Sequence, residues 1–381
     1  MSDHFIFSRI VQQFLSDVQQ HQRLSPQQAS SCQNILNCHT AKLGGLNYAC
    51  DDCAQHYPVY HSCRHRHCPQ CQQKAGEQWV TQRLAAVLPV PYFHLVFTLP
   101  HELNGWAQLH PEVMYHLLFQ CAWHTLDDYS QHNKQLQGKL GMTAVLHTWG
   151  QSLNQHVHLH CLIPGGAMDH GHTFVTSRRD YLYPHRVLGK LFRGKMVSAL
   201  RKAYQDGQLQ RITHAGEIDQ TLNILMKKDW VIHTKAHLNR AETVVRYLAR
   251  YTYRTAISLS RIVAVNDASV SFKWKDYRDE QKKIMTLEGG EFLRRFLLHI
   301  LPKGLMRIRH YGYLANRVRV EQLEKIRSWI AEEKTATPQK MIAPVNVSVD
   351  TLIPCPNCKT GRLHLIGIIL SEKERRRCLM S

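Results

Sequence analysis

The sequence predicts an α+β fold, and three observations carry that expectation. Residues 92–100, YFHLVFTLP, alternate so that Phe93, Leu95, Phe97 and Leu99 share one face, as a half-buried strand does. Two more strand-like runs, 142–149 and 156–163, follow one another and end at Pro164, Gly165 and Gly166, a turn signal. Around these strands lie segments of helical period: 102–137, a basic stretch over 185–206, 241–256 and 291–301. The first 30 residues read as an amphipathic helix through Phe5, Ile10, Phe14 and Val18. Shorter expectations are a helix over 76–87, a strand over 230–234 and a strand or hairpin over 264–274.

With 381 residues the chain exceeds one small domain, and two or three units are expected. A hydrophobic content of 44% allows a sizeable core, yet no run approaches the ~18 apolar residues of a membrane span. The N-terminus lacks the charged start, apolar middle and cleavage site of a signal peptide, so the expected location is the cytoplasm. Lys and Arg number 48 against 29 Asp and Glu, a net charge of +19. That balance favours a polyanionic partner, nucleic acid before a ribosomal or membrane surface, with binding that weakens as salt rises. No phosphate-binding G-x-x-x-x-G-K-[ST] loop occurs, so no motor is built in.

Twelve cysteines in a cytoplasmic chain point to metal before disulfides. Cys50-x2-Cys53 and Cys68-x2-Cys71 stand 14 residues apart, a spacing that suits one closed, structural four-thiolate zinc site. Cys38, Cys63, His65 and His67 remain nearby, either as a second site, as substitutes in the first, or, for the two cysteines, as small buried residues. Arg64, Arg66 and Lys74 flank the knuckles and are candidates for phosphate contact. Cys355-x2-Cys358 is half a site, either completed by His364 or Cys378 or left in an unstructured tail.

In NQHVHLHCLIPGG, residues 154–166, strand alternation sets His156, His158 and His160 on one side and Val157, Leu159 and Cys161 on the other. Imidazoles two apart on a strand can grip one divalent ion and leave positions open for a substrate oxygen; the bland alternative is a polar strand face. In AETVVRYLARYTYRTA, residues 241–256, Tyr247 and Tyr251 share a helical face, and Arg246, Arg250 and Arg254 form a stripe beside it. A phenol so placed can attack phosphorus while guanidiniums hold flanking phosphates, although its pKa of about 10 demands help from a metal. Alone, such tyrosines more often pack half-buried.

The motifs LGGLNYACDDC, SCRHRHCPQCQ, FHLVFTLPHEL, LHTWGQSLNQHVHLHCLIPGG, YLARYTYRTAIS, WKDYRD, EFLRRFLLHILP and RIRHYGYL, over residues 30–315, resemble the bacterial rolling-circle insertion-sequence transposases of the HUH class, which include ISCR-like and IS91-type elements. The resemblance implies a nuclease domain with a central antiparallel sheet flanked by helices. It implies Mg²⁺ or Mn²⁺ held by His158 and His160, and cleavage that leaves a 5′-phosphotyrosine on Tyr247 or Tyr251. Tyr253 stands where relatives often carry His, and Leu259 where they often carry Asn. Such enzymes usually take a third ligand, for which Gln151 is favoured over His94.

The expected organisation is an N-terminal helix (1–30), a zinc-binding module (31–80), a nuclease domain (85–330), a linker (331–349) and a tail with a Cys pair (350–381). The expected activity is nicking and rejoining single-stranded DNA at transposon ends and in target DNA, with Zn²⁺ in the N-terminal module and strand separation left to a host helicase. Trp149, Phe272 and Trp274 are candidates for base stacking or for core. Competing readings are a replication initiator or relaxase of the same chemistry, a non-catalytic zinc-dependent DNA-binding protein, and a zinc hydrolase using the His-x-His pair.

Overall fold

The computed structural model describes residues 5–72, 87–133, 136–169, 173–177, 183–210, 215–238, 243, 255–276, 278–333 and 353–378. The expected N-terminal helix is two helices. Helix α1 (Ile6–His21) buries Phe7, Ile10, Val11, Phe14 and Val18. Helix α2 (Pro26–Asn37) starts afresh at a capping box in which Ser25 and Gln28 bond each other's backbone N–H, with Pro26 in the first turn where its missing N–H costs nothing. Strands β1 (Gly45–Cys50) and β2 (His56–Tyr60) form a hairpin, and β3 (Tyr92–Thr98) follows. The helix expected over 102–137 breaks before Pro111, giving α3 (Asn104–Leu109) and α4 (Pro111–Gln131), because proline starts a helix more readily than it continues one.

Next come β4 (Gly141–Trp149), β5 (Gln155–Pro164), β6 (Gly166–Asp169), β7 (Thr173–Thr176), α5 (His185–Gln205), α6 (Ala215–Lys227) and β8 (Ile232–Leu238). The chain continues through β9 (Ile262–Val265), β10 (Ser269–Lys275), β11 (Lys282–Glu288), α7 (Gly289–Leu297), β12 (Ile308–Gly312), α8 (Arg319–Glu333), β13 (Ile353–Pro354), β14 (Arg362–Ile369) and α9 (Glu372–Cys378). Apart from residue 243 and the non-helical Thr255 and Ala256, the helix expected over 241–256 lies outside the described residues, as do residues 334–349 of the expected linker and residues 76–86 of the helix expected over 76–87; the first three linker positions, 331–333, instead complete α8.

The central sheet has five strands in the order β12-β4-β5-β3-β8, and every pairing is antiparallel. Its two faces follow from strand alternation. Phe93, Leu95, Phe97, Leu146, Val157, Leu159 and Cys161 point to one side and pack beneath α3, α4, α5 and α6 in the main core. Each such large apolar side chain contributes roughly 1.5–3 kcal/mol by leaving water. The other face carries the histidines.

A second core joins α1, α2 and α7 to the three-stranded sheet β11-β10-β9, with Phe7 edge-on to Phe296 at 4.6 Å. Here α1 lies so close to the start of α7 that a Cβ on Gly289 would fall 2.1 Å from the Phe14 ring. The third sheet runs β13-β14-β1-β2, so the C-terminal segment returns to pair antiparallel with β1. Among the described residues no helix is long and apolar enough to cross a membrane.

Candidate metal centre and cysteine clusters

Strand β5 presents its histidines as its alternation requires. Val157, Leu159 and Cys161 are fully buried, while His158 and His160 are half-buried and His156 exposed on the opposite face. Register then brings in a neighbour: His147 of β4 lies directly across from His158. One ligand nitrogen from each of His147, His158 and His160 falls within 4.8 Å of the others. The ring centroids of His147 lie 5.4 Å from His158 and 4.5 Å from His160. His158 Nδ1 donates to the carbonyl of His156 at 2.7 Å, so an ion held by this ring would be bound through Nε2. From β3, His94 is 4% exposed and its Nε2 sits 2.9 Å from His160 Nδ1. Gln151 lies in the turn between β4 and β5, its carbonyl bonded by the Arg261 guanidinium.

The back of this centre is built from aromatic rings. Trp149 stacks on His147, centroids 4.4 Å apart at 22°, and meets His299 edge-on. His299 is wholly enclosed: its Nε2 donates to the Leu153 carbonyl at 3.0 Å and its Nδ1 accepts from the Thr148 hydroxyl at 3.2 Å. Burial pushes its pKa down to about 4, so the ring is neutral.

The cysteines correct the expected grouping. Cys50, Cys53, Cys68 and Cys71 do not form one site. One cluster is Cys38, Cys63, Cys68 and Cys71, and the other is Cys50, Cys53, Cys355 and Cys358. The reason is the β1–β2 hairpin. Cys50 and Cys53 sit at its tip and Cys38 and Cys63 at its base, about 16 Å away for five residues of extended chain. Within the first cluster the sulfurs are 3.6 Å (Cys38–Cys71), 3.5 Å (Cys63–Cys71) and 3.8 Å (Cys38–Cys68) apart. Within the second they are 3.6 Å (Cys50–Cys358) and 3.7 Å (Cys53–Cys355) apart.

Four sulfurs held tetrahedrally by Zn–S bonds of about 2.3 Å stand about 3.8 Å apart, so both sets fit zinc. Backbone N–H groups of Asp52, Cys53, Cys63, His65 and Gly361 point at these sulfurs at 3.3–3.5 Å, as thiolates require. The C-terminal pair is therefore neither unstructured nor completed by His364 or Cys378. His364 pairs with Asp51, and Cys378 is exposed. Close approach makes Gly361 necessary, since a Cβ there would lie 2.4 Å from Cys50 Sγ.

His67, expected as a possible ligand, instead accepts the Leu301 N–H on its Nε2 at 3.2 Å, and burial holds its pKa down to about 2. Arg66, expected to meet phosphate, donates to the carbonyls of Leu301, Pro302 and Leu305 and ties the knuckle to that loop. Arg64 is exposed beside the first cluster. Trp149 and Phe272 are core residues, 7% and 0% exposed, because the second core needed their area more than solvent did; Trp274 is half-buried with Lys283 above its ring. Lys74, Arg246, Tyr247, Arg250, Tyr251, Tyr253 and Arg254 lie outside the described residues. Sequence reading missed His147, although it stands inside a quoted motif, because nothing local marks a lone His as the neighbour of a His-x-His strand.

An antiparallel sheet with this histidine centre, behind a domain of four-cysteine clusters, defines an HUH-type transposase fold with a zinc-binding domain. A family model described as "Transposase zinc-binding domain" matches residues 10–99, and one described as "Putative transposase" matches residues 141–322. The chain is 39% identical over 364 residues to "Putative transposase y4qJ" of Sinorhizobium fredii (strain NBRC 101917 / NGR234), covering 92% of this chain and 91% of that one. It is 29% identical over 323 residues to "Transposase for insertion sequence element IS801" of Pseudomonas savastanoi pv. phaseolicola, covering 80% of this chain and 73% of that one. No solved structure matches. The chain belongs to the IS91-type family of insertion-sequence transposases.

Proposed function

We propose that this transposase nicks and rejoins single-stranded DNA at transposon ends through a 5′-phosphotyrosine intermediate formed on Tyr247 or Tyr251. The observation that carries the reading is the convergence of His147, His158 and His160 on one face of the central sheet. Three neutral imidazoles leave coordination positions open, and we assign His147, in preference to Gln151 or His94, as the third ligand. A bound divalent ion, Mn²⁺ or Mg²⁺, supplies Lewis-acid polarisation of the scissile phosphate. Because the donors are all nitrogen, the softer Mn²⁺ is the better match.

The residues of the chain do the rest. A tyrosine oxygen gives up its proton and bonds to phosphorus, the P–O3′ bond breaks, and the 3′ oxygen takes up a proton and leaves as a hydroxyl, so no net proton is gained or lost. The 5′ phosphate stays on tyrosine. Rejoining reverses the exchange: an incoming 3′-OH bonds to phosphorus and the tyrosine leaves, so no outside energy source is needed. Arg246, Arg250 and Arg254, one stripe in sequence, hold flanking phosphates. Arg64 offers one more phosphate contact. Zinc in the two cysteine clusters is structural, because four thiolates close its shell. Strand opening is left to a host helicase.

The test is incubation with labelled single-stranded DNA carrying the element's ends, with Mn²⁺ or Mg²⁺, followed by a denaturing gel. Wild type is expected to give a covalent protein–DNA band that Tyr247→Phe, Tyr251→Phe doubly substituted protein lacks. Cleavage that persists in the double variant sinks the tyrosine mechanism and favours hydrolysis at the histidine centre.

A further inference from the structure

Strand β12 is an edge of the central sheet, and a cleft of 860 Å³ opens between it, α4 and the loop over 302–306. That volume falls in the range of ligand pockets, roughly 300–1,000 Å³. His116, Gln120, Lys303, Met306, Arg309 and Asn316 help to line it, and Glu112 is the sole acidic side chain among its lining residues. A second cleft of 430 Å³ shares Lys303 and Gly304 with the first and runs on to Ser30 and His65 beside the first cysteine cluster. The two make a trough from the zinc domain to the sheet edge.

We propose that this trough binds single-stranded DNA; the proposal rests on the nuclease reading above and adds where the strand lies. The Arg309 guanidinium is already oriented: it stacks 4.4 Å over the Phe119 ring and donates from Nη1 to His116 Nδ1 at 3.3 Å. A planar guanidinium so fixed loses little freedom when it meets a phosphate. Lys303 is exposed on the opposite wall and supplies a second positive charge. Gln120 and Asn316 offer amides to base edges, while Met306, 63% exposed, and Tyr311 offer apolar surface for unstacked bases. A duplex keeps its base faces stacked and would leave the apolar surface of Met306 and Tyr311 unused. The wall itself is held in place from the zinc domain, by Arg66 on three carbonyls of the 301–305 segment and by His67 on the Leu301 N–H. This gives a role to an arginine that looked from sequence like a DNA contact.

The full-length protein is titrated with labelled oligothymidylate over a range of salt, wild type beside Lys303→Gln/Arg309→Gln. The variant is expected to bind on the order of tenfold more weakly, with the log–log salt slope reduced by about 1.4, or 0.7 for each lost phosphate contact. Zinc content checks that the variant is folded. A benzophenone amino acid at Met306 is expected to crosslink to the oligonucleotide, while the same probe at Met226, exposed on α6, is not. Unchanged affinity and slope, or crosslinking from 226 instead of 306, overturns the proposal. Crosslinking from 306 to duplex but not to single strands overturns the assignment of the ligand. Either result leaves the tyrosine reading standing if Tyr247→Phe/Tyr251→Phe still abolishes the covalent band. Conversely, a double phenylalanine variant that cuts normally sinks that reading whatever the trough binds.

Discussion

His94 Nε2 lies 2.9 Å from His160 Nδ1, with the two rings 13° from parallel. On paired strands the two residues are diagonal neighbours, since His94 stands across from Leu162. For His160 to ligate through Nε2, its Nδ1 must carry the proton and donate to His94, whose own proton is then on Nδ1. If His160 holds the proposed ion, His94 would set its tautomer and tilt, the role an outer partner plays at such centres. His94→Leu removes the acceptor and is expected to weaken Mn²⁺ binding by roughly 10–100-fold. His94→Gln, whose carbonyl can accept the same proton, is expected to retain most of it. Calorimetric titration with Mn²⁺ reads both, and equal affinity in wild type and His94→Leu contradicts the positioning role.

The two cysteine clusters predict two zinc ions per chain. Cys355→Ser/Cys358→Ser should lower the content measured by atomic emission to one, and Cys68→Ser/Cys71→Ser should do the same by emptying the other cluster. If the first double variant keeps both ions, the C-terminal pair is not a ligand pair.

Gly361→Ala should have an effect out of proportion to one methyl group. The added Cβ meets Cys50 Sγ at 2.4 Å and Asp52 Cβ at 2.6 Å, where neither the metal site nor the backbone can retreat. The expected outcome is faster zinc release to a chelator from the second cluster, with the first unaffected. Uniform release kinetics in the variant and wild type would count against the split site.

His299 makes stability depend on pH. Its pKa is about 4 in the fold and ordinarily 6.5, so the fold prefers the neutral ring. The group's contribution is whole above pH 6.5 and is lost as pH falls from 6.5 towards 4, with about 3 kcal/mol at stake. His299→Gln has no charge to gain. Denaturant midpoints at pH 7 and pH 4.5 should therefore fall further for wild type than for the variant; parallel losses contradict the assignment. Comparing the two proteins cancels the acid release of zinc that both share.

Much of the molecule was legible from local pattern. The alternation in 92–100 and 156–163 announced β3 and β5, and the same period of two placed His158 and His160 together with Val157 and Leu159 behind them. Proline positions explain both places where an expected helix is divided, before Pro26 and before Pro111. Each Cys-x2-Cys knuckle was also visible, because four residues suffice to make one.

What the sequence by itself determined, then, is everything whose physical cause acts within a few residues: which side chains share a strand face, which cysteines form a knuckle, and the excess of positive charge. Tertiary structure alone decided the partners. His147 joins His158 through antiparallel register, and His94 reaches His160 diagonally from a third strand. Cys50 and Cys53 pair with cysteines some 300 positions later in preference to those beyond a spacer of 14 residues, because the stiff extended hairpin holds its tip from its base while β14 lies hydrogen-bonded along β1. Distance along the chain says little about distance in space once strands are paired, and ligand geometry is satisfied only in space.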